Sequence, residues 1–258
     1  MSRLGRALLV AGVVLATCAA RFPPAEPHTP ATAAPFEPAM LLTRYAAPPL
    51  EPATVLARYA DALAALKHPA AISFEFSVEQ LGLRNLEQTH RVYRSGSDER
   101  DETLSVDGYA LKNPAVRIFR NRGYRYDIAT IAPKPEAYEF SFSSVQRAGD
   151  HYAYSFETKS RAAASFAVTG VTIDGASFLP SVVRFAASGG ARASGRLRYV
   201  GAQGYWVVTE AIADARLPDG KVAHERIVWS SYRFPQSLPP STFQAPALAE
   251  PSAAGDEP

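Results

Sequence analysis

The chain has 258 residues, 47% of them hydrophobic and 20% charged: enough apolar matter for one domain with a sizeable core, and too many aromatics for a chain disordered throughout. Its 27 basic residues face 25 acidic ones; without Arg3 and Arg6, at the extreme N-terminus, 25 stand against 25, so the surplus of clustered Lys and Arg that marks a nucleic-acid-binding protein is lacking. The single cysteine, Cys18, excludes an intrachain disulfide and a cysteine-based zinc site, so the fold must stand on packing alone.

Residues 1–20 have the three parts of a secretory signal: Arg3 and Arg6, then the apolar run Leu8 to Ala16, then the small residues Thr17, Cys18, Ala19 and Ala20. The run is shorter than the ~20 apolar residues that span a bilayer. Leu15-Ala16-Thr17-Cys18 resembles a bacterial lipobox, in which the cysteine becomes the lipidated first residue, although Thr17 stands where Gly, Ala or Ser is usual. Two endings stay open. Lipidation at Cys18 would anchor the chain to the outer membrane, and ordinary cleavage after Ala19 or Ala20 would release it into the periplasm. Residues 21–51 are rich in Pro and Ala, as in an extended linker, and residues 246–258 read as a disordered tail.

Between them, residues 52–245 carry the pattern of one folded domain. Pro52 suits the first turn of a helix, and Val55, Leu56, Tyr59, Leu63 and Leu66 fall on one stripe at helical spacing. His68-Pro69 closes that helix, predicted over 52–67, because proline disfavours helical backbone in the residue before it. Strand patterns follow. Ile72, Phe74, Phe76 and Val78 alternate with Ser73, Glu75, Ser77 and Glu79, and Tyr138, Phe140, Phe142 and Tyr152, Tyr154, Phe156 repeat the period of two. Further runs lie near 88–95, 99–106, 115–121, 123–131, 166–174, 180–187, 192–200, 204–217 and 221–234. Asp107-Gly108, Gly149-Asp150, Asp174-Gly175, Gly189-Gly190 and Pro218-Asp219-Gly220 supply turns between them. Short connections join antiparallel neighbours, whereas parallel strands need helical crossovers. The expected fold is therefore mainly β: a curved antiparallel half-barrel of roughly ten strands, with the N-terminal amphipathic helix as a lid across its concave face.

The dry strand faces are rich in aromatics, which fill a core or line an incompletely filled hollow. Phe74, Phe76, Phe140, Phe142, Tyr154, Phe156 and Phe185 are the candidate lining of such a hollow. Catalytic motifs are lacking. No serine-hydrolase elbow, Walker loop or calcium loop is present, and the five histidines do not have metal-site spacing. No metal, cofactor or catalytic residue is assigned; an enzyme would need a polar cluster such as His90 with Glu87 or His224 with Glu210. Arg117, Arg120, Arg122 and Arg125 alternate with apolar residues as a solvated strand face does.

An export signal, one helix and a succession of strands together resemble the outer-membrane lipoprotein carrier family, the LolA/LolB-like superfamily. The likeness is carried by Ile227 to Phe234 running into Pro235 to Phe243, by Val171 to Asp174 followed by Leu179-Pro180, and by Val55 to Leu66 followed by Ile72 to Phe76. It implies a half-open barrel with a helical lid whose hydrophobic hollow takes up lipid or lipoprotein acyl chains, as carrier or receptor in lipoprotein sorting. An alternative on the same fold is an envelope sensor that presents its sheet to a protein partner. A packed interior would favour the sensor and an empty apolar one the carrier.

Overall fold

The computed structural model describes residues 48–82, 85–124, 126–189, 191–217 and 220–244. The leader over 1–20 with Cys18, the linker up to residue 47 and the tail over 246–258 lie outside the described residues. Helix α1 spans Pro52–Ala64 and buries Val55 and Tyr59 completely, with Leu56, Leu63 and Leu66 packed at its margin. It stops short of the expected Lys67. Ala65 already leaves helical backbone, and no basic residue in the last turn holds the final carbonyls, so His68-Pro69 sets a latest end rather than the actual one.

Eleven strands follow among the described residues: β1 Ala71–Leu81, β2 Leu86–Ser95, β3 Asp98–Val106, β4 Tyr109–Phe119, β5 Tyr138–Ala148, β6 His151–Ser160, β7 Phe166–Asp174, β8 Pro180–Gly189, β9 Ala191–Ala202, β10 Tyr205–Arg216 and β11 Val222–Arg233. They form one open, curved antiparallel sheet in the order β4-β3-β2-β1-β11-β10-β9-β8-β7-β6-β5. The first and last strands pair at the centre, with Phe76 opposite Trp229 and Val78 opposite Ile227. Two-residue turns set the register of two hairpins. Asp107-Gly108 and Gln203-Gly204 both hold positive φ at each position, the twist that matches antiparallel strands and that glycine adopts without steric cost.

Strand β4 starts earlier than the pattern suggested and contains Pro114. Proline removes a ladder donor, which only an edge strand tolerates, and β4 is an edge. The expected strand over 123–131 does not form. That stretch belongs to the connection from β4 to β5, which holds the short helix α2 at Ile128–Ile131, its first turn capped by the Asp127 carboxylate. The connection joins opposite edges of the sheet. Ten strand spacings of ~4.8 Å make ~48 Å along the sheet surface, close to the ~60 Å reach of residues 120–137 fully extended. Crossing the concave mouth is the shorter route, and the segment takes it: Tyr199 Oη donates to the Tyr126 carbonyl (3.3 Å), and Tyr126 meets Trp229 edge-on at 4.8 Å.

The core lies on the concave face, where Phe74, Val78, Phe156, Val183, Leu197, Tyr199, Ile227 and Trp229 are all buried. Helix α1 covers one side of it. Tyr59 Oη donates to the Pro133 carbonyl (2.7 Å), the Tyr59 ring meets Phe140 edge-on at 6.0 Å, and the Leu50 N–H donates to Tyr154 Oη (2.8 Å). A 3₁₀ turn at Pro240–Phe243 closes the described chain beside β3, with Phe243 buried and the Thr242 and Phe243 carbonyls accepting from Arg100 and Arg120. No helix among the described residues is long and apolar enough to cross a membrane.

Candidate functional site

Period-two patterning sends Phe74, Phe76 and Val78 of β1, His90 and Val92 of β2, and Ile227 and Trp229 of β11 to the concave face. The crossing segment lays Tyr124 and Tyr126 over them, and Arg117 and Phe119 of β4 complete the wall. These residues enclose a partly open cavity of ≈ 120 Å³. Its floor is aromatic: Phe74 lies 5.4 Å from Tyr232 and 6.1 Å from Tyr124, and Phe76 lies 6.3 Å from Trp229.

One side of this cavity is polar, and His90, Glu99, Asp101 and Arg122 on it are held by polar partners. His90, 3% exposed, stacks on Phe76 at 4.6 Å and is hydrogen-bonded to Asp101 through Nδ1 (2.7 Å), while Gln88 lies 3.2 Å from Nε2. Arg94 donates to Glu99 (3.2 Å) and to the Arg122 carbonyl (2.6 Å), and Arg122 reaches Glu99 from the other side (3.1 Å). Charges buried with hydrogen-bonded partners hold a specific register at the edge of an apolar hollow. Burial pushes the pKa of the Tyr59, Tyr124, Tyr199 and Tyr232 hydroxyls up, so all four stay neutral.

The aromatic residues singled out from the sequence divide between two places. Phe74 and Phe76 line the cavity. Phe140, Tyr154, Phe156 and Phe185 pack in the half of the sheet formed by β5–β9. There Phe140 meets Phe156 at 6.2 Å, and Phe185 stacks on Phe166 at 5.3 Å. Phe142 lies on edge strand β5, 5.7 Å from Phe156 and 46% exposed. In that half these rings pack against one another and against Tyr59 of helix α1. Ile227 and Trp229, missed as lining, alternate in the last strand and were open to the same period-two reading. Tyr124 and Tyr126 gave no such signal, because their position over the mouth depends on the edge-to-edge crossing.

The histidine–glutamate pairs named from the sequence, His90 with Glu87 and His224 with Glu210, are not formed. His90 pairs with Asp101 instead of Glu87, and His224 pairs with Asp214 (2.5 Å) while Glu210 is held by Arg198 and Arg226. His151 bridges Asp150 and Asp174 at a hairpin, where the Asp174 carboxylate also accepts from the Ser177 N–H and Oγ of the next turn. Among the described residues no group of three or more His, Cys, Asp or Glu side chains is arranged to hold a metal ion.

No protein-family model matches the chain, and no curated protein matches it. Among solved structures it is similar to a DUF1329 family protein from Desulfovibrio piger, at 12% identity over 74% of this chain and 97% of that one, with a TM-score of 0.41. It is similar as well to a LolA superfamily protein from Nitrosomonas europaea, at 13% identity over 75% of this chain and 97% of that one, again with a TM-score of 0.41.

Proposed function

We propose that this chain is a non-catalytic protein of the bacterial envelope that takes up an acyl chain of a lipid or lipoprotein on its concave face, as a carrier or receptor in lipoprotein sorting. The leader sequence supports export, with Cys18 as the residue that would carry a lipid anchor. The observation that carries the reading is the aromatic cavity between β1, β2, β11 and the crossing segment, left open beside a tightly packed half.

Its size sets the mechanism. A cavity of ~150 Å³ holds a ring the size of benzene, so ≈ 120 Å³ takes the end of a chain and not its length. Each further methylene enclosed contributes about 0.8 kcal/mol, which favours opening of the cover over the cavity. That cover is the segment bearing Tyr124 and Tyr126; helix α1 lies over the other half. Uptake therefore moves the crossing segment away from Trp229 and Phe74. The ring-on-ring packing in the β5–β9 half supports a second reading, an interaction module that uses the fold without cargo.

Native mass spectrometry of the full chain with an acylated peptide separates the two readings. An adduct of the peptide's mass that is lost in Phe76→Glu, a variant altered only in the cavity wall, is expected. A bare mass at every peptide concentration would overturn the carrier reading and leave the interaction module.

A further inference from the structure

The outer face of β8–β11 breaks a rule of sheet design. Arg184, Arg192, Arg196, Arg198, Arg216 and Arg226 are all exposed on it. Register places Arg184 opposite Arg196, and Arg192 opposite Arg216. Like charges directly opposite on one face of an antiparallel pair destabilise it. Some of the charge is answered: Glu157 takes Arg184 (2.7 Å), and Glu210 is shared by Arg198 (3.3 Å) and Arg226 (2.9 Å). Asp214 on the same face is paired with His224. Among the described residues Arg192, Arg196 and Arg216 have no carboxylate partner. The surplus ends at β1, where Glu79 stands opposite Arg226.

Apart from these six arginines and from Arg3 and Arg6, 19 basic residues face 25 acidic ones, so this face gathers positive charge in a chain that is otherwise acidic, and its like-charge oppositions weaken the sheet. Rule-breaking of this kind marks a surface kept for binding. We propose that the outer face of β8–β11 docks on a membrane bearing anionic phospholipid. Guanidinium groups fit phosphate oxygens in two-pronged fashion better than ammonium groups do, and all six cations here are arginine. Strands ~4.8 Å apart and residues ~3.4 Å apart spread them over a patch of roughly 14 by 20 Å, an array that meets many repeated headgroups at once and has no single deep pocket for one acidic side chain. Beside Arg192 and Arg216 lies an open depression lined by Ala186, Ala187, Ala193, Ser194, the exposed Val222 and the Asp214 carboxylate that His224 pairs.

This docking is independent of acyl uptake and is tested separately. The full chain is sedimented with vesicles of phosphatidylcholine alone and of phosphatidylcholine mixed with phosphatidylglycerol, at low and high salt. Binding that requires phosphatidylglycerol and weakens with salt is expected. Each basic residue near an anionic surface contributes roughly fivefold, so Arg192→Gln/Arg216→Gln should weaken it about 25-fold. The same double variant should unfold at an equal or higher temperature than the parent, because it removes a like-charge pair; this separates lost binding from lost folding. Equal binding to both vesicle types, or unchanged binding by the double variant, would overturn the proposal. Binding to polyglutamate without any preference for phosphatidylglycerol would overturn it in favour of an acidic protein partner.

Discussion

Glu225 offers a test of the concave face that needs no ligand. It lies on β11 in the same alternation as the buried Ile227 and Trp229, directly opposite Gln80 on one side and Ala213 on the other. Gln80 is itself buried, and its Oε1 accepts no hydrogen bond. Burial pushes the Glu225 carboxyl up from 4.5 to about 7. A raised carboxyl favours the protonated form in the folded state. Stability is therefore full below pH 4.5 and falls as pH rises towards 7, where the folded protein must either ionise a buried group or keep a proton that the unfolded chain has released. At about 1.4 kcal/mol per tenfold change in proton affinity, the loss is about 3 kcal/mol by pH 8. Glu225→Gln keeps the shape without the charge. It should match the parent at pH 4 and exceed it by up to about 3 kcal/mol at pH 8, or roughly 6–12 °C in Tm for a domain of this size. Urea unfolding of both proteins at the two pH values measures the difference. A gap of the same size at pH 4 and pH 8 would refute the reasoning, since only a group that titrates between them can make the gap change.

Substitutions at Tyr59 and Gly195, with Gly123 as a control, probe how the sheet and its cover are held. Tyr59→Phe loses the hydroxyl that satisfies the Pro133 carbonyl and should cost about 1 kcal/mol, whereas Tyr59→Ala also empties the space against Phe140 and should cost about 3–5 kcal/mol. Hydrogen exchange over residues 52–64 should rise in the alanine variant before the sheet strands are affected, and unchanged protection there would show that α1 is held by other contacts. Gly195→Ala should cost about 1–3 kcal/mol or more, because its methyl group would meet the Ile212 carbonyl at 2.2 Å and the Phe185 ring at 2.8 Å. Gly123→Ala, with open space around it, is the control expected to leave urea stability within ~0.5 kcal/mol.

The sequence by itself determined the elements that depend on neighbours along the chain. The helix from Pro52 with its stripe through Val55 and Tyr59, the alternating strands, and the Asp107-Gly108 turn are local consequences of side-chain period and backbone sterics, and they suffice for an antiparallel, mainly β fold. They also showed that β1 carries an aromatic dry face, and two of its residues, Phe74 and Phe76, line the cavity. What those aromatics surround was decided by tertiary structure. The pairing of β1 with β11 makes β4 and β5 the distant edges. The chain between them must then cross the mouth, and that crossing turns the strand-like run over 123–131 into a cover bearing Tyr124 and Tyr126. Likewise, helix α1 fills one half of the face and leaves the other open, so equally aromatic strands become packed core at Phe156 and cavity wall at Phe76. The opposition of Arg192 to Arg216 was as invisible along the chain, since residues 24 positions apart become neighbours only when β9 and β10 pair. A period of two tells which face a residue takes; only closure of the sheet tells what it meets there.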